Sequence, residues 1–520
     1  MHRPCALVLA PGRCRRVGRS DEHGPGADDH LAVRMKAALW FGIVAAMAAV
    51  LLVGSKSGFL LAAGIAALAV GLCVLMSPVF AAILLLVTMF MRLPIRSEIA
   101  LPVELFLLVF AALVAATVLW MDRTPGRVRG LGPVEWAMAA YLACNVYSML
   151  AAHEYPAGDP LLGVALPIPR FIVIAVGIPF ALYVIGRYVV DSTSAVRAVL
   201  WAVLGTATYS AAVSIMPAVG LSDLVWPRYI VTEIRPSWAG RAVGIFNQPV
   251  VNGMVLALGF AIALVLLSRR SDPGWQRCAA LAVAVASGCG LYLTHTRAVW
   301  LAGVAVLIIG AVLAKGYRKG FVAILVMLGA MVAVNWSTFT SADRTAGGVA
   351  SDVELESRLN DMQTALWAFA QRPIEGWGIG RFQSVNTIHH QQWASDVPWA
   401  SGFGEVSHQN ELAILAELGI IGLTAWIAVL ALIAHRLWKA YRTLPDQELC
   451  GKPLVVIAMM ALAIMLCAGI TVDLRYFDFS TATIFLLLGV AVGWSDRHNT
   501  ASVPNGDDQT VRDRQLEVVR

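Results

Sequence analysis

Long runs of apolar residues recur along almost the whole chain, and they constrain its fold more than any other feature. A helix that crosses a bilayer needs about 20 mainly apolar residues, and about fourteen runs approach that length. They are Ala37–Val53, Gly58–Met76, Pro78–Met91, Leu105–Met121, Pro133–Ala152, Phe171–Val190, Ala198–Val219, Pro249–Ser268, Cys278–Thr294, Ala298–Ala314, Gly320–Trp336, Glu411–Ala434, Leu454–Ile470 and Thr481–Trp494. The runs Pro78–Met91 and Thr481–Trp494 are short, so each is predicted as either a short spanning helix, a half-helix or a re-entrant segment.

The composition excludes a set of soluble domains. Of the 520 residues, 58% are hydrophobic and only 14% are charged, whereas soluble domains carry about 25% charged residues. A chain this apolar has too few polar groups to cover a surface in water. The sequence therefore predicts an all-α polytopic membrane protein with roughly 12–14 transmembrane helices. It also predicts one long extracytoplasmic loop that contains short helices.

Basic residues collect in alternate loops, which predicts the orientation in the membrane. The loops on one side hold Arg13, Arg15, Arg16, Arg19, Arg34, Lys36, Arg123, Arg127, Arg129, Arg269, Arg270, Arg277, Lys315, Arg318, Lys319, Arg436, Lys439 and Arg442. Both termini are therefore expected in the cytoplasm of a multi-pass protein of the inner or plasma membrane. The polar stretches His153–Arg170, Gly220–Gln248 and Ser337–Gln409 then face the periplasm or the outside. The net charge of +6 is explained by this topology, and no nucleic-acid partner is expected.

The predicted organisation has five parts. Residues 1–36 form a basic cytoplasmic tail without periodicity, which is expected to be disordered, and Met35 is an alternative start. Residues 37–336 hold transmembrane helices, 337–409 form the long extracytoplasmic loop, 410–494 hold the C-terminal helices, and 495–520 form a cytoplasmic tail. The eight cysteines all lie in apolar runs or predicted cytoplasmic segments, so no disulfide framework is expected. No nucleotide-binding motif is present.

The long loop carries the densest set of polar residues. A helix is predicted over Leu359–Gln371, and its apolar positions Leu359, Met362, Leu366 and Phe369 are typical of a helix lying at a membrane surface. The loop ends with His408-Gln409 just before the helix that opens at Glu411.

Two further arginines are predicted on the same side of the membrane as this loop. Arg241 precedes a helix, and Arg297 lies in a short turn between two spanning runs. A guanidinium held near hydrocarbon costs up to a few kcal/mol. Arg297 is therefore expected to have an anionic partner or a route for its head group to reach water.

Several of these segments together resemble the O-antigen ligase and polysaccharide polymerase superfamily of bacterial envelopes. His408-Gln409 is followed after nine residues by Gly419-Ile420-Ile421-Gly422, which is similar to the ligase pattern. The run Arg358, Trp367, Pro373 and Gly376-Trp377-Gly378 and the turn Thr296-Arg297-Ala298 also resemble family segments. The resemblance covers roughly Arg235 to Leu430, and the rest of the chain matches only as generic apolar helices.

The resemblance implies a metal-independent glycosyl transfer without a cofactor on the extracytoplasmic side. It implies an undecaprenyl-diphosphate-linked glycan as donor and a hydroxyl of a glycan or glycolipid as acceptor. Arg297 and Arg358 match the arginines that hold the diphosphate, and Arg241 is a further candidate. His408 matches the histidine that activates the acceptor. The chain has more predicted spanning segments than is usual for the ligases, and the motif does not separate ligases from polymerases.

The chemistry of these residue types agrees with those roles. The planar fork of arginine matches phosphate oxygens better than lysine does, and lysine is absent from the long loop. A neutral histidine is the usual general base for a hydroxyl, and a helix N-terminus favours the neutral ring. Supporting roles are predicted for Gln409, Glu417, Trp377 and Gly378.

Each candidate also has a structural interpretation. Arg297 can be a topology determinant whose head group reaches water, Arg241 an ordinary loop arginine, and Arg358 a partner of Glu354 or Glu356. His408 can be a helix cap. Glu417 can pair with an arginine or remain a protonated or hydrogen-bonded carboxylate.

Two smaller features and the overall function also have alternatives. Without a third ligand, His389-His390 is predicted as solvated loop rather than a metal site. The glycines 376, 378 and 380 are predicted to serve a turn rather than to bind phosphate. For the whole protein, the alternatives are a polymerase, a polysaccharide or lipid transporter, and a non-catalytic assembly partner.

Overall fold

The computed structural model of the chain describes residues 70–99, 104–124, 130–343, 348, 352–446 and 448–501. The described residues from Val74 onward belong to one compact unit. Within the described part, the compact unit that starts at Val74 is built almost entirely from helices. Its two described strands, of two residues each, form one hairpin. The all-α polytopic fold class is confirmed.

The longer helices from Pro78 onward are numbered here in chain order. They are α1 Pro78–Phe90, α2 Leu105–Arg123, α3 Pro133–Leu150, α4 Ile168–Tyr188, α5 Thr193–Ala218, α6 Pro249–Leu267, α7 Gly274–Leu293, α8 Arg297–Leu313, α9 Arg318–Val334, α10 Asp352–Gln371, α11 Phe382–Ile388, α12 Asn410–Thr443, α13 Lys452–Gly469 and α14 Asp478–Ala501.

Short elements lie between these helices or within them. Helical turns are found at Arg92–Pro94, Ile95–Ile99, Ser222–Leu224, Tyr229–Thr232, Pro236–Trp238, Gly244–Phe246, Trp336–Phe339 and Leu474–Tyr476. A π-helical turn, Val173–Gly177, interrupts α4. The strands β1 Gly158–Asp159 and β2 Val164–Ala165 pair antiparallel between α3 and α4.

The helices follow the predicted apolar runs. In the described part, α2, α4, α5, α6, α7, α12, α13 and α14 are the eight that are long and apolar enough to cross a membrane, and α1 and α8 are shorter apolar helices. The alternative of a half-helix for Thr481–Trp494 is wrong, because α14 has 24 residues and continues past Trp494 to Ala501. Ala37–Val53, most of Gly58–Met76 and both predicted tails except 495–501 lie outside the described residues.

Small residues bring α4 and α14 into direct backbone contact. A side chain at Gly186 would collide with the backbone of Leu486, and side chains at Gly489 or Gly493 would collide with the backbone of α4. Glycine is therefore required on both sides of this contact. Close approach through small residues is the usual way in which membrane helices gain packing energy, since lipid offers no hydrophobic drive for association.

The polar segments between α3 and α4, between α5 and α6 and between α9 and α12 contact one another at one end of the helices, called the loop end. Arg241, for example, reaches the turn between α7 and α8 there, where its Nε donates to Thr294 O at 3.1 Å. At the opposite end, Arg436 pairs with Asp496, and Arg197 pairs with Asp272 at 3.3 Å.

Candidate functional site

A break in α12 shapes the loop end. At Gly419 the backbone has φ 64° and ψ −165°, which is not helical. The segment after α10 enters this break: Trp377 N donates to Ala416 O at 3.0 Å, and Ile420 N donates to Pro373 O at 2.9 Å. A side chain at Gly419 would collide with Ile374 O. Backbone groups exposed by the break are thus satisfied by the loop, as burial at membrane depth requires.

The three glycines of this loop serve its turns. Gly376, Gly378 and Gly380 have φ values of 70°, 101° and 72°, in the region that favours glycine. Their N–H groups are already used, because Gly378 donates to Glu417 O at 2.8 Å and Gly380 donates to Glu417 Oε2 at 2.8 Å. The predicted preference for turn chemistry over a phosphate nest fits this geometry.

Glu417 holds the loop in the break. Its carboxylate also accepts from Phe382 N at 3.0 Å and pairs with Arg475 Nη1 at 2.6 Å. Arg475 in turn pairs with Asp473 at 2.7 Å. All three side chains are 5% exposed or less. Glu417 is therefore both paired with an arginine and hydrogen-bonded, so its support for the site is architectural.

Trp377 has an architectural position as well. The residue is 7% exposed, and its Nε1 donates to Ala368 O on α10 at 2.8 Å. The ring stacks on Trp367 and Tyr155 with centroid distances of 5.8 and 5.6 Å. Trp377 thus fastens α10 to the loop that enters α12.

The arginines 241, 297 and 358 share one region of the loop end. Burial and the charge of Arg297 lower the pKa of Arg358. Burial and the charge of Arg358 lower the pKa of Arg241 to about 10. Arg241 bonds Thr296, which precedes Arg297 in the chain, and Glu354 lies within 4 Å of both Arg241 and Arg358, so α10 and the turn before α8 bring these side chains into one region. We call the three residues the arginine cluster.

Hydrogen bonds and a carboxylate orient the arginine cluster. Besides its bond to Thr294 O, Arg241 donates from Nη2 to Thr296 Oγ1 at 2.7 Å. Glu354 lies 3.7 Å from Arg241 and 3.6 Å from Arg358. The predicted pairing of Arg358 with Glu354 is therefore present, but at a distance longer than a hydrogen bond. A positive region with preset donors of this kind suits a phosphate anion.

His408 lies just before α12, next to two carboxylates. Gln409 is the N-cap of α12, and its side chain makes no capping hydrogen bond, so neither residue caps the helix through its side chain. His408 Nε2 lies 2.8 Å from Glu405 Oε2 and 3.7 Å from Asp361 Oδ2. The histidine side chain is 31% exposed. Neither acid was predicted from the sequence, because the helix N-terminus is the one neighbour of this ring that the local sequence indicates.

Asp361 connects His408 with the arginine cluster. It lies one turn after Arg358 on α10, and the charge of Arg358 acts on its carboxyl group. Burial raises the pKa of Asp361 to about 8. Asn386 Nδ2 donates to Asp361 Oδ1 at 3.2 Å. The spacing of Arg358 and Asp361, three residues apart on one helix, was the signal that could have identified this acid.

Asp361, Glu405 and His408 also form a group whose side chains could together bind a metal ion. Ligand atoms of Asp361, Glu405 and His408 all lie within 4.8 Å of one another. Carboxylate oxygens and an imidazole nitrogen are ligands for several divalent metals. The set is thus close enough to share a cation, although His408 and Glu405 are already joined directly by a hydrogen bond.

The interpretation of His389-His390 as solvated loop is wrong. His390 is buried between Asn386 Oδ1 at 2.6 Å and Trp399 O at 2.7 Å. His389 stacks on Trp367 with ring centroids 4.7 Å apart. His389 thus packs against Trp367 of α10, whereas the His390 ring contacts Trp399 and Phe403 within the loop.

Helix α10 packs against the loop through its polar face and leaves the predicted apolar stripe partly exposed, which is compatible with the predicted position of this stripe at a membrane surface. The buried positions are Asn360, Asp361, Thr364, Ala365 and Ala368, whereas Leu366 of the predicted apolar stripe is 41% exposed. Polar side chains are buried here because each meets a partner: Asn360 Nδ2, for instance, donates to Pro398 O at 3.0 Å. The helix thereby turns Asp361 inward towards His408.

Replacing Asp361 by asparagine is expected to change how stability depends on pH. Because the folded protein retains a proton that an unfolded aspartate releases near pH 4, wild-type stability falls between about pH 4 and pH 8. Thermal unfolding of both proteins is measured from about pH 5 to pH 9. The stability of the wild type should fall relative to that of Asp361→Asn up to about pH 8, and the difference between the two should be constant above that pH. A difference that is the same at every pH would contradict the raised pKa.

Part of the chain that carries this site matches the model of a known protein family. Residues 282–427 match the family model described as O-antigen ligase. The match contains Arg297, α10, the loop that enters α12, and His408, whereas Arg241 lies before it. Among curated proteins, none matches the chain. The chain therefore has an O-antigen ligase-like region, which supports a membrane glycosyltransferase-like role in polysaccharide biosynthesis.

Proposed function

We propose that this O-antigen ligase-like membrane protein transfers a glycan from an undecaprenyl-diphosphate donor to a hydroxyl of a glycan or glycolipid acceptor. The observation that carries the proposal is the continuous path from the arginine cluster to His408. Arg358 acts electrostatically on Asp361, and Asp361 Oδ2 lies 3.7 Å from His408 Nε2. A phosphate-binding region and a potential base are thus neighbours at the loop end.

The proposed reaction assigns a role to each of these groups. The acceptor oxygen attacks the anomeric carbon, and the bond between that carbon and the phosphate oxygen breaks. The electron pair remains on the diphosphate, where Arg241, Arg297 and Arg358 stabilise the negative charge that develops. His408 accepts the proton of the acceptor hydroxyl. No metal or cofactor has a step in this scheme.

The proposed location is the inner or plasma membrane, with both termini in the cytoplasm and the loop end facing outward. The basic loops support this orientation. Arg269, Arg436 and Lys439 belong to the end opposite the arginine cluster, as the positive-inside rule requires of a cytoplasmic face. A lipid-linked glycan in the outer leaflet would then meet the arginine cluster directly.

A polymerase of the same superfamily is the second candidate, since both activities need the same bond change. Deleting the gene and profiling the surface glycan separates them. Loss of attachment with intact polymer indicates a ligase, and single lipid-linked repeats indicate a polymerase. A transporter is less well supported, because the buried Glu417–Arg475–Asp473 group is fully engaged in holding the loop. Movement of the donor across liposomes without transfer would favour it.

Replacing Arg358 by alanine is expected to lower kcat/KM for transfer by about 100-fold or more, because one donor to the leaving diphosphate is lost. Arg358→Lys should recover only part of this loss, since lysine lacks the planar fork. The assay uses purified protein in liposomes with an undecaprenyl-diphosphate glycan and an acceptor. Arg228→Ala is the matched control, because Arg228 is half-exposed at the same end and donates to loop carbonyls.

Transfer at the wild-type rate by Arg358→Ala would remove Arg358 from the diphosphate site. Equal losses in Arg358→Ala and Arg228→Ala would show that the effect reflects the net charge of the loop end, and would contradict a specific site.

A further inference from the structure

We infer that Glu405 is a positioning residue for His408, holding the ring in the tautomer whose free nitrogen, Nδ1, faces the acceptor hydroxyl. This inference rests on the proposed function, because it gives the base of that reaction a fixed orientation. It also adds a residue that neither the sequence motifs nor the family description singles out. Glu405 lies three residues before His408, in the last part of the loop that precedes α12.

The hydrogen bond between the two residues determines the tautomer. The bond from His408 lowers the pKa of Glu405, so its carboxylate is ionised at neutral pH. An ionised carboxylate only accepts hydrogen bonds. His408 Nε2, at 2.8 Å from Glu405 Oε2, must therefore carry the hydrogen. In the neutral ring the lone pair then belongs to Nδ1, to which no described residue is hydrogen-bonded.

A second contact fixes Glu405 relative to the arginine cluster. Ser357 Oγ, on α10, donates to Glu405 Oε2 at 3.1 Å. Ser357 immediately precedes Arg358 in the chain. The carboxylate that orients the histidine is thus tied to the same helical turn that carries a member of the arginine cluster. This arrangement fixes the distance between the base and the predicted position of the diphosphate.

The backbone of Glu405 is held independently of its side chain. Asn386 Nδ2 donates to Glu405 O at 3.0 Å and to Gly402 O at 2.8 Å. The same amide donates to Asp361 Oδ1, and Asn386 Oδ1 is in turn bonded to His390 Nδ1 at 2.6 Å. One buried asparagine therefore holds the carboxyl group of Asp361 and the backbone of Glu405. Such support limits the freedom of Glu405, as positioning of a base demands.

Two acidic groups face the Nε2 side of His408. At neutral pH Glu405 is the ionised one, because burial keeps the proton on Asp361 up to about pH 8. The negative charge of Glu405 therefore stabilises the positive charge that develops on the ring during proton transfer.

A bound cation is the competing explanation for this cluster. In that case His408 Nε2 would be a metal ligand and could not donate to Glu405. The two explanations differ in whether transfer depends on a divalent ion, so the experiment contains a chelation arm.

The test compares Glu405→Gln with wild type and with Glu356→Gln, a matched change on α10, in the liposome transfer assay. Glutamine keeps the size of the side chain and an accepting oxygen but loses the charge. We expect kcat to fall by about 10- to 100-fold with KM for the donor changed by less than about twofold. Glu356→Gln should behave like wild type.

Two results would overturn the inference. The first is a loss that appears only in KM, with unchanged kcat. The second is loss of wild-type transfer after EDTA that a divalent cation restores. If wild type transfers glycan, His408→Ala does not, and Glu405→Gln is fully active, the positioning role of Glu405 is wrong. The proposed function is then still supported. If wild type and all variants lack transfer, the proposed function itself fails.

Discussion

Replacing His408 by alanine is expected to lower kcat for glycan transfer by about 10²–10⁴-fold, the usual contribution of a general base. The arginine cluster remains in this variant, so binding of the diphosphate donor should change little. His408→Gln should lose as much, because its amide can donate to Glu405 but cannot accept the proton. Transfer rates and donor binding are measured on the same liposome preparation.

The matched control is His435→Ala, since His435 is exposed near the C-terminal end of α12, far from the loop end. That variant should transfer at the wild-type rate. If His408→Ala also retains the wild-type rate, the acceptor is activated by another group and the proposed base is wrong. Loss of donor binding together with transfer would mean that His408 contributes to the diphosphate site.

Replacing Glu417 by alanine is expected to produce the largest change in stability, a loss of about 3–5 kcal/mol in the free energy of unfolding. Removing one partner of a buried ion pair leaves an uncompensated charge, here on Arg475. The N–H groups of Gly380 and Phe382 also lose their acceptor. An unsatisfied buried donor costs about 1–3 kcal/mol. The break in α12 would then lose the loop that fills it.

Thermal unfolding of the detergent-solubilised protein and its abundance in membranes measure this effect. Glu448→Ala is the control, because Glu448 is an exposed glutamate outside the spanning helices and should leave both unchanged. Glu417→Gln should lose less than Glu417→Ala, since its amide oxygen still accepts one of the hydrogen bonds. A melting temperature of Glu417→Ala within about a degree of wild type would show that Asp473 alone holds Arg475.

The spanning helices were predictable because the signal for them is local. A run such as Pro249–Ser268 needs only its own hydrophobicity to become the helix Pro249–Leu267. The predicted and observed helix ends differ by a few residues in most cases. Helix α12 differs more, because it extends to Thr443, beyond the predicted end at Ala434. The part of α12 after Ala434 is amphipathic and less apolar than the part before it. A prediction based on hydrophobicity alone therefore ends the helix too early.

The residue types of the site were also predictable, whereas their surroundings were not. Arginines and a histidine near an interface indicate anion binding and proton transfer from their chemistry alone. Glu417, Trp377 and Gly378 were predicted as supporting residues from their places in the sequence. Their contacts, which hold the loop in the break of α12, could not be predicted in this way. A hydrophobic run gives no sign that another segment enters it, because the entering backbone is distant in sequence.

The apolar runs were sufficient to predict that the chain spans a membrane and where most of its helices lie, and the residue types were sufficient to propose candidates for phosphate and proton transfer. These inferences depend on single side chains and short windows. The positions of Asp361 and Glu405 beside His408, the packing of His389 and His390 inside the loop, and the burial of the polar face of α10 became visible in the folded chain alone. Each of these depends on contacts between segments far apart in the chain, where burial and charge change what a side chain can do.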